Sequence, residues 1–442
     1  MTDLSRASLG QDFSLGVATS SYQIEGAVAE DGRAPSIWDT FAHTPGKTKL
    51  GHHGDVACDH YHRLAEDLAL LQWFGVDAYR FSIAWPRVIP SGRGAINQRG
   101  LDFYERLVDG LLERGIKPCA TLYHWDLPDA LPGGWLSRDT VHAFAEFAEA
   151  AVRRLGDRVH MWFTHNEPWC QAFLGYETGL FAPGHRDFSE ALTCAHHLLV
   201  SHGLAVDALR AHTRSPLGIA LNMIPAYPKT ATPEDVAAAR RYDGYFNRWF
   251  VEPVLGRGYP ADMVELYGAH VPKFDPADVA LMGRPIDLLG INYYERALIG
   301  DGDAGVLKIS HHRSDEFPRT ADREIFPPGL YAVLERMHSE YGFKRLVVTE
   351  NGAAFDDQLE QGQVADDKRV QFFRGHLEQV VAARRAGVPV EAYFAWSLMD
   401  NFEWSEGYTL RYGLVHVDFE TQQRTPKRSA HFLRSLSKAH SR

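Results

Sequence analysis

Eight short apolar runs recur along this chain, and segments with helical periodicity separate them. The runs are rich in β-branched and aromatic residues and have the length of buried strands. Helix-like segments, with apolar residues three and four positions apart, include 61–75, 101–115 and 139–156. This alternation is typical of an α/β fold with a parallel sheet. The strand-like runs occupy residues 13–20, 78–85, 117–125, 160–166, 217–223, 286–294, 345–351 and 390–397.

Eight units favour one architecture over the others. A closed (β/α)₈ barrel, the TIM barrel, leaves no exposed sheet edge and keeps its active site in the long loops after the strands. An open doubly wound sheet is the alternative, but no strand is followed by GxGxxG or by GxxxxGK[ST]. No Pro-, Ser- or Gly-rich linker divides the chain. We therefore expect residues 1–442 to form a single barrel domain with long βα loops on its active-site face.

The charge and the cysteines exclude several classes of protein. The net charge is −11 with a pI near 6.0, which argues against nucleic acid or an anionic membrane as the binding partner. No run of about 20 apolar residues could cross a bilayer, and residues 1–16 contain no signal-peptide core. The four cysteines form no CxxC pair, so neither a zinc motif nor a thioredoxin motif is present. We expect a cytoplasmic protein with reduced thiols.

Polar and aromatic side chains stand where the strand-like runs end. In a barrel, all of these ends converge on one face. Their amides, carboxylates and imidazole can bond sugar hydroxyls, and their indoles can stack on the C–H face of a pyranose. No basic cluster lies near them, which argues against a phosphorylated ligand. The residues are Gln23, Arg80, His124, Trp125, Asn166, Glu167, Asn292, Tyr294, Glu350, Trp396, Glu403 and Trp404.

Two of these residues are acids that follow apolar runs. Glu167 stands at the end of the fourth run and Glu350 at the end of the seventh. Strands about 4.8 Å apart and tilted by about 36° give a barrel radius of roughly 8 Å. Acids three strands apart then have Cα atoms roughly 14 Å apart and carboxyl groups about 5–6 Å apart. This separation predicts a retaining glycosidase, at about 5–5.5 Å, rather than an inverting one, at about 6.5–9.5 Å.

The motifs around these positions resemble those of glycoside hydrolase family 1, the β-glucosidase family. The matching segments run in the family's order along almost all 442 residues. The resemblance implies one (β/α)₈ barrel that hydrolyses β-glycosides with retention and needs no metal or organic cofactor. The segments are FSLGVATSSYQIEGA, SIWDTF, GDVACDHYHR, RFSIAWPR, TLYHWDLP, THNEPW, GINYY, VVTENG, AYFAWSLMDNFEWSEGY and RYGLVHVDF.

The resemblance also implies a role for each site residue. Glu167, in Asn-Glu-Pro, would be the general acid/base, and Glu350, in Thr-Glu-Asn-Gly, would be the nucleophile. Trp396 would stack beneath the terminal sugar. Arg80, Tyr294 and Asn292 would lie close to the nucleophile. The remaining sugar-binding residues would be Gln23, His124, Trp125, Asn166, Glu403 and Trp404.

Two features narrow the expected substrate, a small β-glycoside or a short oligosaccharide. Glu403-Trp404 resembles members that act on unphosphorylated sugars, because a carboxylate can accept from two sugar hydroxyls. A true acid at Glu167 resembles members that cleave O-glycosides rather than thioglucosides. We therefore expect a β-glucosidase that is also capable of transglycosylation. A preference for β-galactosides or β-fucosides stays open, because these sugars differ from glucosides at single hydroxyls.

One position departs from the family pattern. Many members have a Trp before the Glu-Ile/Val-Tyr-Pro segment, on the leaving-group side, whereas this chain has Arg323 there. The site would be less apolar and richer in hydrogen-bond donors toward the aglycone. We therefore expect a preference for sugar aglycones over flat aryl ones.

Three other interpretations carry less weight. A sugar-binding barrel without activity would lack one of the two acids, and a metal-dependent hydrolase would lose activity with a chelator. The stretch 51–63 is rich in possible metal ligands. We expect no metal site in it, because it spans a loop and a helix start without an i, i+4 ligand pair backed by a general base. Its possible ligands are His52, His53, Asp55, Asp59, His60 and His62.

Overall fold

Eight parallel strands close into a barrel in the computed structural model, which describes residues 4–437. Each strand pairs with the next along the chain, and the last pairs with the first, as Ser14 lies opposite Ala392. The predicted (β/α)₈ barrel is thereby confirmed. The strands are β1 (Ser14–Ala18), β2 (Ala78–Ser82), β3 (Lys117–Tyr123), β4 (Met161–Asn166), β5 (Leu217–Asn222), β6 (Leu288–Asn292), β7 (Leu346–Asn351) and β8 (Val390–Trp396).

A ring of helices follows the strands and covers the outside of the barrel. Each predicted helix-like segment is a helix, with ends within three residues of the expected positions. The first of them ends at Phe74, and Gly75 adopts a left-handed backbone (φ 66°) that caps it. The helices are α1 (His60–Phe74), α2 (Gln98–Glu113), α3 (Arg138–Leu155), α4 (Phe188–Arg210), α5 (Pro233–Asp243), α6 (Pro327–Ser339), α7 (Asp367–Arg385) and α8 (Arg428–Ser435).

Shorter elements fill the loops. The short α-helices are Arg6–Leu9, Ser21–Ile24, Ile37–His43, Trp85–Val88, Trp249–Val254, Ala261–Tyr267 and Ala277–Met282. The 3₁₀ turns are Lys49–Gly51, Gly134–Leu136, Gly156–Arg158, Gly268–His270 and Trp404–Glu406, and the π-helical segments are Cys170–Glu177 and Gly244–Arg248. One small sheet joins Ala226–Pro228, Ala297–Asp301 and Ile309–His312, and another pairs Val415–Val417 with Arg424–Pro426.

Two apolar layers hold the barrel together. Alternate strand residues such as Val17, Tyr79 and Val348 pack outward in the larger layer, against the helices. Strand residues are therefore buried on both faces, as parallel strands covered by helices require. Each large aliphatic side chain buried in this way contributes about 1.5–3 kcal/mol. The inner layer takes a side chain from every strand, namely Ala18, Ala78, Cys119, Phe163, Ala220, Leu288, Val347 and Phe394.

Two further properties concern the chain as a whole. Within residues 4–437, no helix is both long enough and apolar enough to cross a membrane. All four cysteines, Cys58, Cys119, Cys170 and Cys194, are buried and none is in a disulfide.

Candidate active site

A cavity of about 490 Å³ opens at the carboxyl ends of the barrel strands. Small-molecule sites in proteins usually have volumes of roughly 300–1,000 Å³. Gln23, Arg80 and Asn166 lie directly behind its wall and are at most 1% exposed. The fold therefore brings together all of the site residues predicted from the sequence. Those that line the cavity are His124, Trp125, Glu167, Asn292, Tyr294, Arg323, Glu350, Trp396, Glu403 and Trp404.

Glu350 is held between a cation and a hydroxyl group. Nη1 of Arg80 donates to Oε1 at 2.7 Å, and the Tyr294 hydroxyl donates to Oε2 at 2.7 Å. Arg80 reaches this carboxylate across the barrel from β2 and is itself 1% exposed. Burial raises the pKa of Glu350 to about 7, and the charge of Arg80 and the two hydrogen bonds oppose this rise. Both partners therefore favour the ionised form.

Within residues 4–437, the hydrogen-bond partners of the Glu167 carboxyl group are two neutral donors. Nδ2 of Asn292 donates to Oε1 at 2.8 Å, and the Cys170 thiol donates to Oε2 at 3.1 Å. Burial is the largest influence on this group and raises its pKa, and the two hydrogen bonds oppose the rise. A neutral, protonated Glu167 is therefore easier to maintain than a protonated acid in water.

The two acids share the cavity and affect one another. A negative charge on Glu167 raises the pKa of Glu350, and the effect is mutual. Since Arg80 stabilises a charge on Glu350, the first proton lost from the pair leaves Glu350 ionised and Glu167 protonated. The site thus holds one carboxylate and one carboxylic acid.

Irregular strand pairing turns Glu350 toward the cavity. Val347 packs inside the barrel and Val348 outside, so regular alternation would point Glu350 outward. The register of β7 against β6 shifts between Val348 and Glu350. The consecutive side chains Thr349 and Glu350 both bond to residues of the site, Asn292 in the cavity lining and Arg80 behind the wall. A bulge of this kind re-aims a side chain next to an active site.

Strand β4 has a similar irregularity beside Glu167. Its register against β5 shifts between Phe163 and Asn166. The Asn166 amide then joins the other site residues, because its Oδ1 accepts from Nη2 of Arg80 at 2.7 Å and from Nδ2 of Asn292 at 3.0 Å. With Oδ1 so occupied, Nδ2 of Asn166 faces Nε2 of His124 at 3.1 Å. A hydrogen-bond chain therefore runs behind the cavity wall from Arg80 to His124.

His124 ends this chain with one nitrogen unpaired. Burial lowers the pKa of His124 well below its usual range, so the ring is neutral at pH 7. Nε2 accepts from Asn166, and Nδ1 must therefore carry the hydrogen. Nδ1 is buried and has no hydrogen-bond partner among residues 4–437. A buried donor without a partner is costly, and a ligand oxygen would satisfy it.

Gln23 lies behind Glu403. Nε2 of Gln23 donates to Oδ1 of Asn401 and to the Phe402 carbonyl, both at 2.9 Å, and lies 3.4 Å from Oε2 of Glu403. The side chain is completely buried. Through these bonds to Asn401 and Phe402, Gln23 fixes the loop that presents the Glu403 carboxyl group. Burial raises the pKa of this Glu403 carboxyl group to about 8, although the charge of Arg323 opposes the rise.

Indole rings form the rest of the inner wall. The Trp125 and Trp404 rings lie 4.6 Å apart, and the His124 ring stacks on Trp396 at 5.8 Å with 20° between planes. Trp125, Glu167 and Trp404 have left-handed backbones, with φ of 76°, 45° and 51°. Such backbones are uncommon outside glycine and cost of order 1–3 kcal/mol each. Three of the eleven non-glycine residues with positive φ in the described part of the chain therefore line this cavity.

Gly352 allows the last two strands to approach closely beside Glu350. A Cβ atom at this position would lie 1.9 Å from the Trp396 carbonyl oxygen. Any other residue would therefore push β7 away from β8 and displace Glu350 relative to Trp396.

Comparison with known proteins identifies the family. The model of the family described as Glycosyl hydrolase family 1 matches residues 5–442. The chain belongs to this family. The resemblance predicted from the motifs is thereby confirmed, and with it the class of enzyme, a glycoside hydrolase.

Relatives of this family 1 member match it from end to end. A β-glucosidase from an Agrobacterium species is 45% identical over 96% of this chain and 94% of its own length. A bifunctional β-D-glucosidase/β-D-fucosidase from Bifidobacterium breve is 44% identical over 97% of this chain and 98% of its own length. Among solved structures, a family 1 β-glucosidase from Thermotoga maritima has a TM-score of 0.95 and is 42% identical, covering 97% and 98% of the two chains.

The more exposed part of the cavity in this glycoside hydrolase is both charged and aromatic. The Arg323 guanidinium lies 4.6 Å from the centre of the Tyr294 ring, and its Nε donates to Asp322 at 3.1 Å. Two aromatic rings, Trp169 and Phe246, also line this part of the cavity, and their centres lie 4.3 Å apart. Arg323 therefore does reach the cavity, but apolar rings lie there too.

Several cavity residues were not predicted from the sequence. Cys170 lies three residues after Glu167, at the start of a helical segment, so its spacing was a usable signal. No local pattern marked Asp322, or Tyr412, whose hydroxyl donates to Asp322 at 2.7 Å. They come from two separate loops that only the folded chain brings together.

Proposed function

We propose that this chain is a retaining β-glucosidase that releases terminal β-D-glucosyl residues from small glycosides or short oligosaccharides. The observation that carries the proposal is the pair of buried acids in one cavity, Glu350 beside a cation and Glu167 beside neutral donors. That asymmetry supplies a nucleophile and an acid at the same pH. The full-length relatives named β-glucosidase support the choice of sugar.

In the first step, Glu350 attacks the anomeric carbon while Glu167 gives its proton to the leaving oxygen. The bond from C1 to the aglycone oxygen breaks as the ester bond to Glu350 forms, and the aglycone leaves as an alcohol. Arg80 and Tyr294 keep Glu350 ionised until it attacks. Ester formation removes the negative charge from Glu350, and without that neighbouring charge the pKa of Glu167 falls. Glu167, which has already given its proton to the aglycone, therefore stays ionised and can act as a base.

In the second step, the ionised Glu167 takes a proton from water as the water oxygen attacks C1. The ester bond breaks and the carboxylate of Glu350 is restored. Two displacements on opposite faces retain the β configuration. NMR of the hydrolysis of a β-glucoside should therefore show β-glucose first and α-glucose only after mutarotation. Initial release of α-glucose contradicts the double displacement.

The terminal sugar is assigned to the inner part of the cavity. Nδ1 of His124, a buried donor that has no hydrogen-bond partner among the described residues, would donate to one sugar hydroxyl. Glu403 would accept from hydroxyls, in the position that Gln23 and Asn401 hold for it. Trp396 would lie beneath the ring. Asn166 would bond the hydroxyl beside the reacting carbon, and Trp125 and Trp404 would complete the wall.

The substrate class is tested with a panel of p-nitrophenyl β-glycosides. We expect the highest kcat/KM on the β-glucoside, measurable rates on the β-fucoside and β-galactoside, and none on α-glycosides or 6-phosphosugars. The β-fucoside is included because one relative is named for both activities. A higher kcat/KM on the β-galactoside or the β-fucoside would replace the glucosidase assignment. Full activity of Glu350→Gln on this panel would overturn the two-acid mechanism.

Replacing Tyr294 by Phe should move the acidic limb of the pH profile of kcat/KM upward by roughly one unit. This limb reports the ionisation of Glu350, and the lost hydrogen bond lowers the pKa of Glu350 in the native site. A hydrogen bond to a charged group contributes about 1.5–3 kcal/mol, and one pKa unit corresponds to about 1.4 kcal/mol. The control is Tyr293→Phe, since that hydroxyl bonds the Phe326 carbonyl instead. An unshifted limb in Tyr294→Phe argues against this pairing.

Replacing Arg323 by Trp should change the preference for the aglycone. We expect the ratio of kcat/KM for an aryl β-glucoside to that for cellobiose to rise by roughly 2- to 10-fold, because an aromatic contact contributes about 0.5–1.5 kcal/mol. Arg323→Gln serves as the control, since it removes the charge without adding a ring. An unchanged ratio in Arg323→Trp would show that this side chain does not contact the aglycone.

The proposal extends to the chain as a whole. We assign residues 1–442 to one catalytic domain, which the family match over residues 5–442 supports. We assign the protein to the cytoplasm, which the four buried cysteines outside disulfides support, since reducing compartments keep thiols free.

A further inference from the structure

A second group of chemically active side chains lies away from the catalytic cavity. His43 ends the helix Ile37–His43, and His53 and Asp55 lie in the loop that follows it. One ligand atom from each of the three lies within 4.8 Å of the others. We propose that these three residues form a binding site for a late first-row divalent cation, with Zn²⁺ as the reference ion.

The distances suit a tetrahedral ion. Nε2 of His43 lies 3.2 Å from Oδ2 of Asp55, and Nδ1 of His53 lies 3.2 Å from Oδ1 of Asp55. Zn²⁺ binds imidazole nitrogen and carboxylate oxygen at about 2.0–2.2 Å, so ligand atoms on a tetrahedron around it lie roughly 3.3–3.6 Å apart. The two imidazole donors lie within 4.8 Å of each other, and their rings stack with centroids 4.7 Å apart, so at least one ring has to turn for all three donors to share one ion.

The His43 ring has the tautomer that metal binding requires. Its Nδ1 lies 2.7 Å from the Asp39 carbonyl oxygen, which can only accept, so Nδ1 carries a hydrogen. In the neutral ring, the Nε2 lone pair then faces the Asp55 carboxylate. Two acceptors at 3.2 Å repel each other unless a proton or a metal cation lies between them. Metal-binding histidines almost always donate their second ring N–H to a carbonyl or carboxylate in this way.

One oxygen of the Asp55 carboxylate has no hydrogen bond within the described part of the chain, residues 4–437. This oxygen, Oδ1, is buried, and Nδ1 of His53 lies nearby. Buried polar atoms without a partner usually mark an ion or water that completes them. A cation shared by the three side chains would satisfy Oδ1 of Asp55 and Nε2 of His43 together.

The other ligand-type residues of the stretch 51–63 already have protein partners. Nδ1 of His60 bonds the Asp67 carboxylate at 2.8 Å inside the protein. His62 lies between Asp59 and Glu30, at 2.6 and 3.0 Å. From the sequence we expected no metal site in this stretch, because it holds no i, i+4 ligand pair backed by a general base. The third ligand of the proposed site, His43, lies in the preceding helix and was not part of that expectation.

The ligand set indicates the chemical class of the ion. Two imidazoles and one carboxylate suit Zn²⁺, Co²⁺, Ni²⁺ or Cu²⁺, whereas Ca²⁺ and Mg²⁺ prefer oxygen ligands alone. The His43 and His53 side chains are 50% and 44% exposed, so a fourth position is open to water.

The position of the cluster points to a structural role. The Tyr408 hydroxyl donates to the His53 carbonyl at 2.8 Å, and Lys49 pairs with Glu406 at 3.1 Å. Both partners belong to the loop that begins with Glu403. An ion at the cluster would therefore tie His43 to the segment that supports this loop, without touching the reacting atoms.

The test is a calorimetric titration of the metal-free, chelator-treated chain with Zn²⁺, on the wild type, His43→Ala, His53→Ala and His62→Ala. We expect one site per chain, at least a tenfold loss of affinity in each of the first two variants, and no change in His62→Ala. The last is a matched control, because His62 is equally exposed and contacts two carboxylates but no second histidine. At a free concentration 100 times Kd, Zn²⁺ should raise the Tm of the wild type by about 3 °C and that of His43→Ala by less.

Equal Zn²⁺ affinity in the wild type and in both ligand variants would overturn the proposal. The proposal would also be overturned if the wild type bound no Zn²⁺ at about 1 mM, the weakest Kd that we would accept for a specific site. Equal loss in His62→Ala would also overturn it, because it would indicate general binding to surface histidines. The ligands are surface residues, so the variants should fold. Matching unfolding curves without metal, and unchanged hydrolysis of p-nitrophenyl β-glucoside, check this. None of these outcomes depends on the proposed catalytic mechanism.

Discussion

Glu350→Ala should lower kcat/KM on p-nitrophenyl β-glucoside by about 10⁵-fold, because the residue that forms the covalent intermediate is lost. The cavity would keep its sugar-binding groups, so KM or the Ki for glucose should change far less than kcat. The measurement is the initial rate of p-nitrophenol release at the pH optimum of the wild type. Near wild-type activity in this variant would exclude Glu350 as the nucleophile.

Azide separates a chemical role for Glu350 from a structural one. In Glu350→Ala, azide can enter the space of the lost carboxylate, form a bond to C1 from that face and expel p-nitrophenolate. The expected product is α-glucosyl azide, since this is a single displacement with inversion. Rescue with a β-glucosyl azide product would place the nucleophile elsewhere. A variant that is merely misfolded shows no rescue, and its altered circular dichroism distinguishes that case.

Glu167→Ala should show an effect that depends on the leaving group. General acid catalysis contributes typically 10²- to 10⁴-fold, and a good leaving group does not need the proton. We expect the first step to slow by about 10³-fold on cellobiose or an alkyl β-glucoside, and by less than about tenfold on 2,4-dinitrophenyl β-glucoside. The steady-state slope of log kcat/KM against leaving-group pKa is the measurement. Equal losses on both kinds of substrate would contradict the acid role.

The same variant provides a complementary azide experiment. With Glu350 intact, the glycosyl-enzyme forms, and azide attacks it from the face that the aglycone left. The expected product is β-glucosyl azide, the opposite anomer to that from Glu350→Ala. If Glu350→Ala gave the β-azide and Glu167→Ala the α-azide, the roles of nucleophile and acid would be reversed.

Asn292→Ala removes the amide that donates to Glu167 at 2.8 Å. This variant should show a weaker loss of activity that also depends on the leaving group.

The fold was predictable because each unit of the barrel has a local signature. An apolar run such as 217–223 can be buried on both faces only in a sheet that helices cover. Eight such runs, separated by amphipathic segments, leave few arrangements that bury every face. The positions of Glu167 and Glu350 at strand ends followed from the same pattern, because their residue numbers depend only on where the runs stop.

The direction of these side chains was not predictable from the pattern. Period-two alternation from Val347 and Val348 would turn Glu350 toward the helices, and a register shift in β7 reverses this. Register is a property of paired strands, and the neighbours β6 and β8 have different lengths and offsets. A single strand sequence does not contain that information.

The sequence by itself determined the barrel, the family and which residues stand near the site, since these depend on local propensity and on motifs within short segments. Tertiary structure decided how those residues are used. It placed Gln23 behind Glu403, gave Arg80 to Glu350 and, within residues 4–437, left Nδ1 of His124 without a hydrogen-bond partner. The first two contacts join residues that are 380 and 270 positions apart in the sequence. They exist only because barrel closure brings the strand ends to one face. Burial at that face, together with the partners of each acid, sets which of Glu350 and Glu167 is ionised and which is protonated.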